Sequence, residues 1–373
     1  MRLGIDAREL GGRPTGAGRY LRSLLRHWKD EGLGLFVYCD GPLAGGALPP
    51  GLDAHVRELG RGGARGLAWH QRLLPAAVAL DGLDVFFAPA YFCPLRLPVP
   101  RVTTVHDLSF FSLPEDFSLR EGLRRRLLTA ASVRASAAVL AVSEFTRREI
   151  CDRFPAAAGR VVHVPHGADE DLAPPPPRED ARRRLGLSGP LLLTVGSVFN
   201  RRCLPELLRV VAMLRWRQPG LVLDVVGDNR TSPERDLVAL ARELGVADAV
   251  RFSGFVGEDG LADRYAAADA AVFLSLYEGF GLPALEAMAR GVPTLVSDRP
   301  ALAEIFGGAA LVADPRNERE IAAALDRLLS DAALRNTLIA RGHTLAARHS
   351  WAAAARATLG VLRCAADGRP PLP

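Results

Sequence analysis

Lysine is nearly missing from this 373-residue chain: Lys29 is the only one among 47 basic residues, the rest being arginine. The formal net charge of +5 and the basic isoelectric point raise the question of a nucleic-acid partner. The arginines are scattered over many prospective helix faces, however, and no basic stretch is interleaved with aromatics, which make up 6% of residues. A nucleic-acid-binding role is therefore not expected. Cysteine is also sparse. Cys39, Cys93, Cys151, Cys203 and Cys364 are isolated, odd in number and without paired ligand spacing, which argues against a disulfide framework or a cysteine-based metal site and fits reduced thiols in the cytoplasm. No apolar run is long enough to cross a bilayer, and the start of the chain lacks a basic-then-apolar signal organisation. Any work at a membrane is expected from its surface. No convincing Asp-x-Asp metal motif is present, no internal repeat, and no low-complexity tract beyond Pro174–Pro177 and a glycine-rich patch at Gly60–Gly66.

What remains is ample apolar material, 49% of residues, enough for two α/β domains of ordinary size. Strand-like and helix-like patterns alternate along the chain, which points to parallel sheets covered on both faces. Arg2–Ala7 reads as a first strand. It leads into the glycine-bearing segment Gly11–Tyr20, where Gly16 and Gly18 precede an amphipathic helix with Leu21, Leu24 and Leu25. Val102–Val105 is a strand delivering His106, Asp107 and Leu108 at its C-terminal end, where ligands of open α/β sheets gather. A histidine there also serves simple structural ends. Ser143 and Glu144 read as a helix cap and its first turn, and His163 and His166 as packing or cleft-wall residues.

The stiff, polar stretch from Asp171 to Asp180 marks an interdomain linker. The expected boundaries are an N-terminal domain at 1–172, a linker at 173–188, a second domain at 189–350 and a C-terminal helix at 351–373. Leu191–Gly196 reads as a fully buried strand ending in glycine, followed by Arg201 and Arg202 before the next helix. Two fixed cations between a strand and a helix suit a diphosphate, although a solvated charge pair has the same composition. The apolar strand Ala270–Leu274 then meets Ser275–Met288, with Glu278, Gly279, Phe280, Gly281, Leu282, Pro283 and Glu286. The glycines permit a tight turn that bares backbone N–H groups at a helix start, an anion site by geometry and dipole. A glutamate near a helix start is also favoured by the dipole alone.

The two glutamates, the two glycines and the proline together resemble the E-x7-E region of family 4 retaining glycosyltransferases. The likeness continues through Ala287–Ser297 and back to the Gly16 loop, the His106 segment and the closing Trp351 helix. It implies the GT-B fold, two Rossmann-like doubly wound parallel-sheet domains facing across a cleft. It implies a metal-independent, retaining transfer of a sugar, mannosyl or rhamnosyl by analogy, from a nucleotide-sugar donor to a saccharide or lipid-linked saccharide acceptor. On that basis His106 and Glu278 are the catalytic candidates, both near the reacting carbon. Gly16, Arg201, Arg202, the backbone at Gly254, the stretch Gly279, Phe280, Gly281 and Leu282, and Glu286 are the donor-binding candidates. Arg202 corresponds to a phosphate-binding lysine and Glu286 to a ribose ligand. Relatives commonly carry an arginine directly after the strand-ending glycine, where this chain has Ser197, which leaves Arg202 as the supported phosphate cation. No cofactor or metal is expected. Two alternatives remain: a non-catalytic nucleotide-sugar sensor, and a glucan or sugar-phosphate synthase of the same fold. The segment with Arg120, Arg124, Arg125 and Arg126 among Leu119, Leu123, Leu127 and Leu128 is either a solvated helix face or a peripheral contact with anionic lipid at the inner face of the membrane.

Overall fold

The computed structural model describes residues 1–12, 15–60, 66–168 and 175–371. Most of the Gly60–Gly66 patch and all of the segment 171–174 lie outside the described residues, as do Arg13, Pro14 and the expected 172–173 junction. The chain divides into two compact units. Unit 1 comprises Met1–Ser112, Leu119–Gly167 and Ser350–Pro373; unit 2 comprises Leu113–Ser118 and Ala168–His349.

Unit 1 is built on seven parallel strands: β1 (Arg2–Asp6), β2 (Gly34–Cys39), β3 (Ala54–Glu58), β4 (Val85–Ala88), β5 (Arg101–Val105), β6 (Ala138–Ala141) and β7 (Val161–His163), in the order β3-β2-β1-β4-β5-β6-β7. Strands covered on both faces read as continuous apolar runs, as Val85-Phe86-Phe87-Ala88 does, with every residue buried. The edge strand β3 is Ala-His-Val-Arg-Glu and largely exposed, its charges discouraging a further strand. The helix Gly16–His27 buries Tyr20, Leu21, Leu24 and Leu25. The C-terminal helix Trp351–Ala366 packs beside it, and the Trp28 indole Nε1–H donates to the Ala355 carbonyl at 3.0 Å. Truncating the fully buried Trp28 to alanine would cost about 3–5 kcal/mol. Gly167 is required at this return: a Cβ would lie 2.1 Å from the Trp351 nitrogen.

Unit 2 carries six parallel strands, β8 (Leu191–Val195), β9 (Val222–Val226), β10 (Val250–Gly254), β11 (Ala270–Phe273), β12 (Thr294–Ser297) and β13 (Leu311–Ala313), in the order β10-β9-β8-β11-β12-β13. One face of the sheet packs Leu192, Leu223 and Val225 with Leu208, Val211, Ile321 and Leu325 from two helices. The other packs Leu191 and Leu193 with Ala181, Tyr265 and Ala287. Residues 178–184, inside the anticipated linker, form a helix with Ala181 buried. Their charges are consumed locally, Arg178 and Arg182 both bonding Asp269 at 2.6 and 3.2 Å. Residues 113–118, inside the anticipated N-terminal domain, belong to unit 2. No helix among the described residues is long and apolar enough to cross a membrane.

Candidate active site

Each sheet reverses its strand order once, between β1 and β4 in unit 1 and between β8 and β11 in unit 2. Loops leaving the carboxyl ends of such strands splay apart and open a crevice, where ligands bind in folds of this kind. In unit 2 the loop after β8 carries Arg201 and Arg202, and the loop after β11 carries Glu278 to Leu282. The Leu276 N–H donates to the Arg201 carbonyl at 2.8 Å and ties the two loops together. The turn Asn200–Arg202 passes into the helix Leu204–Leu214 through Cys203, whose φ of +50° is a left-handed conformation rarely taken by a residue with a side chain.

Arg202 lies with its Cζ 3.9 Å from the centre of the Phe273 ring, and its Nη1 is 3.4 Å from Glu278 Oε1. Gly196, φ +116°, makes room for it: a Cβ there would stand 2.7 Å from the guanidinium. Burial pushes the Arg202 pKa down from its ordinary value, and Glu278 opposes that shift. Arg201 lies over Phe199, its Cζ 4.5 Å from the ring, with its Nε 4.0 Å from the same Glu278 oxygen. The structure thus brings both predicted cations and Glu278 into one cluster.

The turn after Glu278 is held from behind. The Ser275 N–H donates to Ser297 Oγ at 2.8 Å, and the Ser275 hydroxyl donates to the Tyr277 carbonyl at 3.0 Å. Gly281 ends the turn at φ +104°, and a Cβ there would stand 2.8 Å from Leu302 and 3.0 Å from Phe306. The helix Leu282–Ala289 starts directly afterwards with no side-chain cap; Pro283 has no N–H and the Ala284 and Leu285 N–H groups donate to the Gly281 carbonyl, so the Leu282 N–H is the helix-start amide placed for an anion. Phe280 is buried, its ring packed edge-on against Phe306 and His349. Glu286 is 5% exposed and accepts from the Tyr265 hydroxyl at 3.3 Å. Gly254 closes β10 at φ +59° with open space where a side chain would be.

Sequence reasoning missed Asp116. It sits in the turn Pro114–Asp116, in the six-residue excursion that belongs to unit 2. Burial raises its pKa, countered by the charges of Arg201 and Arg235 and by the Arg201 backbone N–H. One of its carboxylate oxygens is buried without a hydrogen bond. A contact made across more than eighty residues of chain leaves no local signal.

In unit 1, His106 follows β5 and donates from Nε2 to the Pro89 carbonyl at 2.7 Å. Its Nδ1 is 3.4 Å from His166 Nε2. Tyr20 meets the His106 ring edge-on at 5.1 Å, and Tyr91 approaches it at 5.6 Å. Burial lowers the pKa of His106, and burial together with His106 lowers that of His166 well below the ordinary histidine value, so both rings are neutral near pH 7. Asp107 accepts from the Tyr91 hydroxyl, the Ser109 N–H and the Ser109 hydroxyl, which accounts for it structurally. Gly16 opens its helix exposed, with no atom near a hypothetical Cβ. Gly18 is needed sterically, since a Cβ there would lie 2.3 Å from the Glu9 carbonyl. At the end of β1, buried Asp6 would have its pKa raised by burial alone, but the paired Arg8 and the His70 ring, its Nε2 3.3 Å from Asp6 Oδ2, hold it well below the usual carboxylate range. This network was also missed, because Asp6 and His70 are far apart in sequence.

Residues 14–172 match the family model described as Glycosyltransferase Family 4, and residues 177–344 the model described as Glycosyl transferases group 1. Among curated proteins, the chain is 33% identical over 276 residues to the O-antigen chain mannosyltransferase B of Escherichia coli, covering 72% of this chain and 71% of that one. Among solved structures it is similar to sucrose-phosphate synthase from Thermosynechococcus elongatus, with a TM-score of 0.80 at 22% identity, covering 97% of this chain and 98% of that one. It is also similar to Anabaena HepE in complex with UDP and glucose, with a TM-score of 0.76 at 20% identity over 97% and 99% of the two chains.

Proposed function

We propose that this chain, which belongs to the family 4, group 1 glycosyltransferases of GT-B fold, moves a hexosyl group from a nucleotide-sugar donor to a saccharide or lipid-linked saccharide acceptor with retention of configuration. One observation carries the donor assignment: Arg202, Glu278 and the uncapped helix start after Gly281 come together at the switch point of the unit 2 sheet.

Charge builds on the leaving phosphate oxygen as the glycosidic bond breaks. Fixed donors already aimed at that charge lower the barrier without reorganising, and Arg202 and the Leu282 amide at the start of the helix Leu282–Ala289 are such donors in this reading. In this reading Arg201 adds to the positive potential, Gly254 lets the base lie along backbone, and Glu286, oriented by Tyr265, accepts from the ribose hydroxyls. Glu278 accepts from hydroxyls of the transferred sugar while Arg202 neutralises it. Gly16 supplies backbone near the donor phosphate. His106 serves as a neutral hydrogen-bonding group beside the sugar, its orientation fixed by Pro89. The departing phosphate takes the acceptor proton, so no side chain is needed as nucleophile or base.

The likeness to a mannosyltransferase favours mannosyl transfer, and the nucleotide in the HepE complex makes UDP-sugars the other donors to test first. The test is incubation with labelled GDP-mannose, UDP-glucose and dTDP-rhamnose in the presence of a chelator. Transfer, or slow release of labelled sugar, is expected. Binding without turnover of any donor would point to the sensor instead, and turnover that requires added Mg²⁺ or Mn²⁺ would overturn the metal-independent mechanism.

A further inference from the structure

The helix Leu119–Ala135 is packed the wrong way round for a water-facing helix. Its buried positions are Gly122, Thr129, Ser132 and Val133. Its leucines at 119, 123 and 127 are 87%, 54% and 61% exposed. Spaced by four, they form one stripe about 12 Å long. Single exposed leucines are ordinary, but three in register on one helix face form an unpartnered apolar strip.

Charge decides what covers it. The helix carries five arginines against one glutamate. Glu121 is held by Arg124 and Arg125, while Arg120 and Arg124 are exposed on the side of the leucine stripe. A second copy of the same face would set these arginines against each other. A surface of anionic headgroups over hydrocarbon satisfies both features, since guanidinium pairs with phosphate while the leucines enter the acyl boundary.

We propose that the face formed by Leu119, Leu123, Leu127, Arg120 and Arg124 docks on an anionic lipid bilayer. The proposal deepens the lipid-linked option for the acceptor and rests on it for its purpose, but the binding itself needs neither donor nor acceptor. The full chain is sedimented, without substrates, with vesicles of phosphatidylcholine alone or mixed with phosphatidylglycerol. Binding is expected to the mixed vesicles only and to weaken as salt is raised. Leu123→Ser with Leu127→Ser should lower partitioning at least about tenfold. Arg120→Gln with Arg124→Gln should lower it by roughly 30-fold, at about fivefold per basic residue. The altered side chains are largely exposed, so circular dichroism should show an unchanged fold, and the arginine pair stands alone if the leucine pair misfolds. No binding to anionic vesicles, or equal binding by the wild-type chain and the folded variants, would overturn the proposal. So would a dimer in light scattering that the leucine variant dissociates while vesicle binding persists.

Discussion

Replacing Arg202 by alanine gives the sharpest test of the donor site. At 3.4 Å from Glu278, and with an effective dielectric of roughly 20, the gross attraction between the two charges is about 5 kcal/mol, much of it offset by the cost of desolvating them. The variant therefore loses more than a phosphate contact. It leaves Glu278, whose side chain is 15% exposed, facing an anionic donor with the more distant Arg201, 4.0 Å away, to offset its charge. Losing one preorganised donor to a developing oxyanion costs about 2.7–4 kcal/mol, or a 10²- to 10³-fold fall in kcat/KM. The fall should be mainly in kcat, because the leaving-group charge is greatest in the transition state. Arg202→Lys keeps the charge but forfeits the planar stack on Phe273, and should recover only part of the loss. Steady-state kinetics alongside calorimetric donor binding separates the two effects. A folded Arg202→Ala protein with unchanged kcat/KM would remove Arg202 from the site.

Three further outcomes follow from the geometry. Gly281→Ala forces a side chain into a left-handed position against Leu302 and Phe306; a loss of about 2 kcal/mol is expected, seen as a drop of roughly 4–8 °C in the melting of unit 2, together with weaker donor binding. His106 and His166 have depressed pKa values, so the unfolded chain binds more protons at acid pH. The stability these neutral rings support should be complete above about pH 6.5 and fall as the pH drops below it, in denaturation curves between pH 7.5 and 5; His166→Gln should flatten the decline, and a wild-type curve that rises on acidification would refute the assignment. Asp116→Asn removes a negative charge beside Arg201, so donor diphosphate should bind roughly 2- to 5-fold more tightly at low salt, and calorimetry showing weaker binding would contradict that electrostatic role.

The parts of the site legible in sequence share one property: each is a contiguous strand-loop-helix stretch. The Leu-rich β8 followed by Arg201 and Arg202, and apolar β11 followed by Glu278, Gly281 and Pro283, announce themselves because a buried parallel strand needs a largely apolar run and the turn after it needs glycine. The invisible parts are side chains that meet only through the fold. Tyr265 reaches Glu286 from the preceding helix, His166 reaches His106 from beyond β7, and Asp116 approaches Arg201 out of a stretch flanked on both sides by unit 1. Composition misled at residues 178–184, where mixed charges directly after Pro174–Pro177 read as an exposed linker but Arg178 and Arg182 bond Asp269 and the carbonyls of residues 266–268. It also left the helix Leu119–Ala135 ambiguous, because alternating leucine and arginine look the same whether the leucines point inward or outward. Only the burial of Gly122, Thr129, Ser132 and Val133 fixes the rotation. That rotation turns an ordinary amphipathic pattern into an apolar strip that water alone should not retain. The same physics that assigns Gly281 to a turn, the cost of an atom in the wrong surroundings, thus assigns this helix to a surface that can accept leucine and arginine together.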